Sequence, residues 1–210
     1  MNGPSSSQAD RAAGALDRET LRRAVRRDPA ALDAFFERFF DRAFGYVATL
    51  VGDRPLAEDL TQEAFLRMHH AIHRLDPERD PTPWVFTVLT NVVRDHWRGA
   101  EHRSRERRAG LDAAGDVPAD EGADAASRRE TEEDARAIRR ALASLSQSDR
   151  EVIVLRAYEG LSSAEAARAA GIADEALRQR YARAVKRLGR AFAEVTAEPA
   201  GSAPHEDRGS

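Results

Sequence analysis

The densest chemistry in the sequence is a row of cations near its C-terminal end. Arg178, Arg180, Arg183, Lys186, Arg187 and Arg190 stand there with Gln179, opposed only by Asp174 and Glu175. Leu177, Tyr181, Val185, Leu188 and Phe192 recur at helical spacing, so a helix here buries one face and leaves the cations on the outer arc. The two acids fall at the helix start, where the macrodipole favours negative charge. Such an arc suits a polyanion. Arginine can grip guanine through two parallel hydrogen bonds and glutamine can grip adenine, which makes Arg178, Gln179 and Arg180 candidates for base edges. Arg183, Lys186 and Arg187 suit phosphates.

An isolated basic helix reads first as a solvated face, and the residues before this one shift the reading. Ser162 with Glu165 forms a capping box that opens a short helix, Ser163 to Ala170. Gly171 then supplies a residue able to take a left-handed turn, and the long helix begins at Ala173 or Asp174. Short helix, glycine turn and long basic helix describe a helix-turn-helix.

Other chemistries are excluded by their missing parts. The chain has no cysteine, hence no disulfide, thiolate nucleophile or cysteine-based zinc site. It has no glycine-rich phosphate loop, no G-x-S-x-G and no H-E-x-x-H. His69 and His73 lie four apart on a helix, but no third ligand follows at suitable spacing, and a solvated face is the default. Catalytic residues, metal ligands and cofactors are therefore all expected to be none. No apolar run reaches the length of a membrane span, and the polar stretch from Met1 to Asp10 lacks the order of a signal peptide. The expectation is a cytoplasmic protein without membrane insertion.

The elements that must position these residues are all helical. A short helix begins near Leu16, and Asp28-Pro29 opens a longer one with Phe35, Phe36, Phe39, Phe40, Phe44, Val47, Leu50 and Val51 in its stripe. Gly52 to Pro55 breaks it, and a second stripe runs through Leu56, Leu60, Ala64, Phe65, Met68 and Ile72. Prolines 77, 81 and 83 forbid a helix there, and Thr82-Pro83 opens a third from Trp84 to about Arg98, with Trp84, Val85, Val88, Leu89, Val92 and Val93 inside. After a polar stretch come Ala135 to Leu145 and a helix from Ser146 carrying Val152, Ile153, Leu155 and Tyr158 up to Gly160. The fold class is all-α: two small helical domains, over 16–100 and 131–195, joined by a flexible acidic linker over 101–130, with disordered tails at 1–15 and 196–210.

Charge follows the same division. Residues 20–98 carry 12 basic and 12 acidic groups, residues 109–134 carry 2 and 9, and residues 135–190 carry 12 and 6. The acidic stretch is expected to lie against the basic helix and suppress nonspecific DNA binding. Trp84 and Trp97 admit two readings, core packing or stacking on unpaired bases.

Read together, four blocks resemble the extracytoplasmic-function group of the sigma-70 family over about residues 20 to 192. AEDLTQEAFLR at 57–67 looks like region 2.2, and WVFTVLTNVVRDHWR at 84–98 is similar to regions 2.3 and 2.4. DREVIVLRAYEGLS at 149–162 and RAVKRL at 183–188, around the helix-turn-helix, look like region 4. The resemblance implies docking on core RNA polymerase, on the coiled coil of its largest subunit and on its flap, with Asp59, Leu60, Gln62, Glu63 and Arg67 as the coiled-coil contacts. It implies a minus-ten site of Trp84, Asn91, Arg94 and Arg98 that holds melted promoter DNA, with the loop from Asp76 to Thr82 trapping a base. It places the helix-turn-helix on the double-stranded minus-thirty-five element, and it implies an anti-sigma factor as a further partner. This sequence departs from the family at Thr87 and Thr90, where basic residues are common, and at Ala166, where a large aliphatic is common. The helix-turn-helix side with Ala166, Ala169 and Ala170 is then expected either to pack loosely or to rely on another surface. Two rivals remain open: a stand-alone helix-turn-helix regulator and a sigma mimic that titrates an anti-sigma factor.

Overall fold

A computed structural model describes residues 16–108 and 129–197, with side chains placed for 16–100 and 135–197. The N-terminal tail, the C-terminal tail beyond Ala197 and most of the expected linker lie outside the described residues; Thr196 and Ala197, expected in the tail, end the last helix. The described residues form helices and turns only. The first unit comprises α1 (Arg18–Val25), α2 (Pro29–Val51), α3 (Arg54–Ala71), a 3-10 turn (Ile72–Arg74) and α4 (Thr82–Arg108). The second comprises α5 (Arg129–Ala143), α6 (Gln147–Ile153), a π turn (Val154–Tyr158), α7 (Ser163–Ala169) and α8 (Asp174–Ala197).

Each break has a local cause. Asp17, Asp28 and Asp53 accept hydrogen bonds from the backbone N–H of Thr20, Ala31 and Leu56, at 2.6, 3.0 and 2.9 Å, and so start α1, α2 and α3. Gly52 ends α2 in the left-handed conformation at φ 73°. In the proline loop, Asp80 accepts from the Thr82 N–H at 2.8 Å, and Glu78 pairs with Arg22 of α1 at 2.7 Å, so the loop is pinned from both ends. The core of the first unit gathers Phe35, Phe39, Tyr46, Val47, Leu50, Met68, Ile72, Phe86 and Leu89.

Three expectations need correcting. The third helix does not stop near Arg98 but continues to Arg108. Phe86, omitted from its inner stripe, is fully buried, because α4 is covered on more than one side: it packs on α2 and α3 and also on α7 of the second unit. The helix from Ser146 contains Tyr158 as expected, with the side chain exposed, but it is not uniform. Its last turn is widened, with the Glu159 N–H donating to the Val154 carbonyl five residues back.

The two units pack against each other. Arg42 of α2 donates twice to Glu159 Oε2, at 2.7 and 3.2 Å. Arg94 of α4 holds both carboxylate oxygens of Glu151, at 2.8 and 3.0 Å, and its remaining nitrogen donates to the Ala170 carbonyl. Arg150 donates to the carbonyls of Leu142, Ala143 and Leu145 at the end of α5 and, at 2.9 Å, to that of Leu50 at the end of α2. Ala166, Ala167, Ala169 and Ala170 are all buried where α7 lies between α4 and α8. Small side chains there let the helix backbones approach, which is the other surface on which this part of the chain relies.

Candidate nucleic-acid interface

The helix-turn-helix is built as its residues dictate. Ser162 and Glu165 form a reciprocal capping box at the start of α7, and Gly171 turns the chain at φ 59°. Ser163 donates to Asp174, which ties the start of α7 to the start of α8. Along α8, Leu177 and Ala184 are buried, while Arg178, Gln179, Arg183, Lys186, Arg187 and Arg190 are exposed. Arg178 pairs with Glu175 at 2.9 Å and with Asp174 at 3.4 Å, and Gln179 donates to Glu175 at 3.1 Å. These pairs hold the outer arc without burying it. Arg187 is partly drawn back to the buried carboxylate of Asp149. Arg180 departs from the others: it is half-buried and close enough to Glu151 to help hold that carboxyl's proton affinity down.

On the first unit, Asp59, Gln62, Glu63 and Arg67 share the exposed side of α3. Leu60 does not join them. The residue is 5% exposed and packs in the core, because it continues the stripe of Ala57, Ala64 and Met68. Leu66 was missed and is 62% exposed, next to Phe65, which stacks on the half-exposed Phe40 at 5.9 Å. The signal was present in the sequence, since an apolar residue between Glu63 and Arg67 on the polar face has no packing reason to be there.

Arg67 reaches Asp95 on α4 at 2.7 Å, and Asp95 also takes Arg98 at 2.5 Å. The Arg67 hydrogen bond, with help from Arg98, lowers the Asp95 carboxyl below its ordinary range. One carboxylate thus couples the exposed side of α3 to that of α4. Asn91 and Arg98 are exposed, whereas Arg94 is half-buried by Glu151. Trp84 is half-buried, with its ring edge-on to Phe35 at 6.5 Å, so it packs on one side and is open on the other. Thr90 is fully buried, bonded to the Tyr46 hydroxyl and the Phe86 carbonyl, each at 2.7 Å; Thr87 bonds the Pro83 carbonyl. A cation at position 90 would have no water here, which gives the threonine a structural reason.

Beside the proline loop lies a cleft of about 260 Å³, lined by Arg18, Arg38, Phe39, Arg42, Arg79 and Thr82 among others. His69 packs near Phe36, and among the described residues no group of three or more His, Asp or Glu side chains is placed to hold a metal ion. No described helix is long and apolar enough to cross a membrane.

Two helical units, one with an exposed charged face on α3 and the other with a helix-turn-helix, have the make-up of a nucleic-acid-binding protein. Comparison with known proteins makes the class specific. Residues 35–103 match sigma-70 region 2, and residues 135–188 match sigma-70 region 4. The RNA polymerase sigma factor CarQ of Myxococcus xanthus is 33% identical over 177 residues, covering 81% of this chain and 95% of CarQ. The ECF RNA polymerase sigma factor BldN of Streptomyces coelicolor is 30% identical over 176 residues, 82% of this chain, which spans 64% of that relative. Among solved structures, that of CnrH in complex with the cytosolic domain of CnrY superposes with a TM-score of 0.58 at 27% identity, covering 85% of this chain and 97% of CnrH. The chain belongs to the sigma-70 family of RNA polymerase sigma factors, in its extracytoplasmic-function group.

Proposed function

We propose that this sigma factor docks on core RNA polymerase through α3, opens and holds the minus-ten element with α4 and the proline loop, and sets its register with α8 on the minus-thirty-five element. The observation that carries the reading is the arrangement of α8, whose cations stay on the outer arc behind a capped helix and a glycine turn. Asp59, Gln62, Glu63 and Arg67 form the polar part of the docking face, and Leu66, Phe65 and Phe40 its apolar centre. Trp84, Asn91, Arg94 and Arg98 meet the melted strand, and the cleft under the proline loop receives a base turned out of the stack. Arg178, Gln179 and Arg180 meet base edges, with Arg183, Lys186 and Arg187 on phosphates. No bond is made or broken by the chain; binding energy offsets the cost of DNA distortion. The protein acts in the cytoplasm, and an anti-sigma factor is its expected inhibitor.

The test is promoter-specific run-off transcription from core polymerase supplemented with the purified chain, on templates selected from a genomic library by the holoenzyme. Specific transcripts are the expected result; core binding without transcripts on any selected template would favour the mimic. Leu66→Asp places a charge in the apolar centre and is expected to weaken core binding about tenfold or more, measured by fluorescence titration. Undiminished binding would remove that face from the docking site.

A further inference from the structure

Glu151 stands in an apolar run, between Arg150 and Val152-Ile-Val-Leu155, and is buried to within 2% of its side chain. Its carboxylate is met by two nitrogens of Arg94, while the third donates to the Ala170 carbonyl, so all of the guanidinium's donor nitrogens are engaged by the second unit. Glu159, also buried, engages Arg42. In an α-helix two positions eight apart are out of phase by about 80°. The π turn between them removes most of that difference and presents both glutamates on the face that meets the first unit. Gly171 fits the same arrangement: a Cβ there would come within 3.3 Å of the Arg94 guanidinium.

Two carboxylate oxygens on a guanidinium fork reproduce the geometry with which arginine takes a phosphate or a guanine edge. We propose that Glu151 is an internal competitor of nucleic acid: in the closed chain it occupies Arg94, and the units must separate before Arg94 can meet the melted strand. The proposal rests on the reading of Arg94 as a minus-ten contact. The free protein is thus kept from single strands by its own second unit, and its nucleic-acid affinity rises when polymerase docking holds the units apart. The buried alanines of α7 serve this closure, since larger side chains would keep the Ala170 carbonyl away from Arg94.

The experiment uses the full chain and a fluorescein-labelled random-sequence single-stranded DNA 20-mer at low salt, read by anisotropy. Glu151→Gln keeps the shape and removes the charge; Glu151→Ala/Glu159→Ala removes both carboxylates, and melting curves verify that each variant folds. The expected result is binding tighter by about tenfold, the size of one charge-assisted hydrogen bond regained. The gain must vanish when Arg94→Gln is added. Glu37→Gln, on the exposed side of α2, changes net charge equally and is expected to shift binding less than about twofold. A gain that survives loss of Arg94, or an equal gain from Glu37→Gln, would overturn the proposal in favour of general charge. No gain in either glutamate variant overturns it outright. In that case run-off transcription by Arg94→Gln holoenzyme separates the two ideas: lost transcription leaves the minus-ten reading standing, and normal transcription removes it as well.

Discussion

Phe35→Ala is expected to destabilise the first unit by about 3–5 kcal/mol, the range for deleting a buried aromatic ring. The ring is fully buried and touches Phe36 at 5.6 Å, Phe39 at 5.1 Å and Trp84 at 6.5 Å between centroids, so its loss leaves a hole between α2 and α4. For a domain of this size each kcal/mol moves the melting temperature by about 4–8 °C, which places the expected fall above about 10 °C by calorimetry. Phe40→Ala provides the contrast, since that ring is 52% exposed and packs mainly on Phe65. Its melting temperature should stay within a few degrees of the wild type while core binding falls. A similar loss of stability in both variants would show that the exposed aromatics belong to the fold and not to a docking face. Phe35 also bears on the proposed function, because it walls one side of Trp84, the side chain proposed to meet the melted strand, and a soft wall would leave that ring unheld.

What could be read from the sequence was what depends on near neighbours. Ser162, Glu165 and Gly171 act within a few residues of themselves, and the helix-turn-helix they imply is present as expected. The aspartate caps and proline starts of α2 and α3 are equally local. Leu60 was misplaced because a family block names a segment, whereas burial is decided residue by residue along the 3.6 period. Phe86 was overlooked because a single inner stripe assumes one covered face, and α4 has more than one. Glu151 gave no warning at all. It reads as the polar position of an amphipathic helix, and its partner Arg94 lies 57 residues away, across the acidic stretch. Only the alanines of α7 hinted at the closure, as a departure from the family that left loose packing or a second surface open. Asp95 was invisible for a related reason: its meaning lies in Arg67 and Arg98 meeting on it from two helices.

The closure sets up the second large effect, in which Arg94→Ala should open the chain without unfolding it. Removing one partner of a buried ion pair costs about 3–5 kcal/mol when the other charge must stay buried. Glu151 need not stay: its hydrogen-bond partner Arg94 belongs to the first unit, and separation of the units is expected to return it to water. The cost is therefore capped by the free energy of closure. The closed-to-open ratio should fall by about a hundredfold or more, while the melting temperatures of the units move little. Small-angle scattering should show a larger radius of gyration at neutral pH. The sign of the pH dependence then follows from the carboxyl. In the closed wild type, burial raises the Glu151 pKa against the opposing pull of Arg94 and Arg180, and Tyr46 beneath it is held protonated by its own burial. The closed form thus binds the proton more tightly than the open one, so the contribution of Glu151 to closure is complete below the ordinary glutamate value and falls as pH rises through the raised one, with Arg94 offsetting that fall in the wild type. Without Arg94 the carboxyl is pushed further up, since that guanidinium was its main restraint. The variant should therefore close again as the solution is acidified from neutral toward the ordinary glutamate range, where a protonated Glu151 needs no cation. A variant that stays compact across that range would show that the apolar contacts of α7 alone hold the units together, and that the ion pair selects the geometry without supplying the closure.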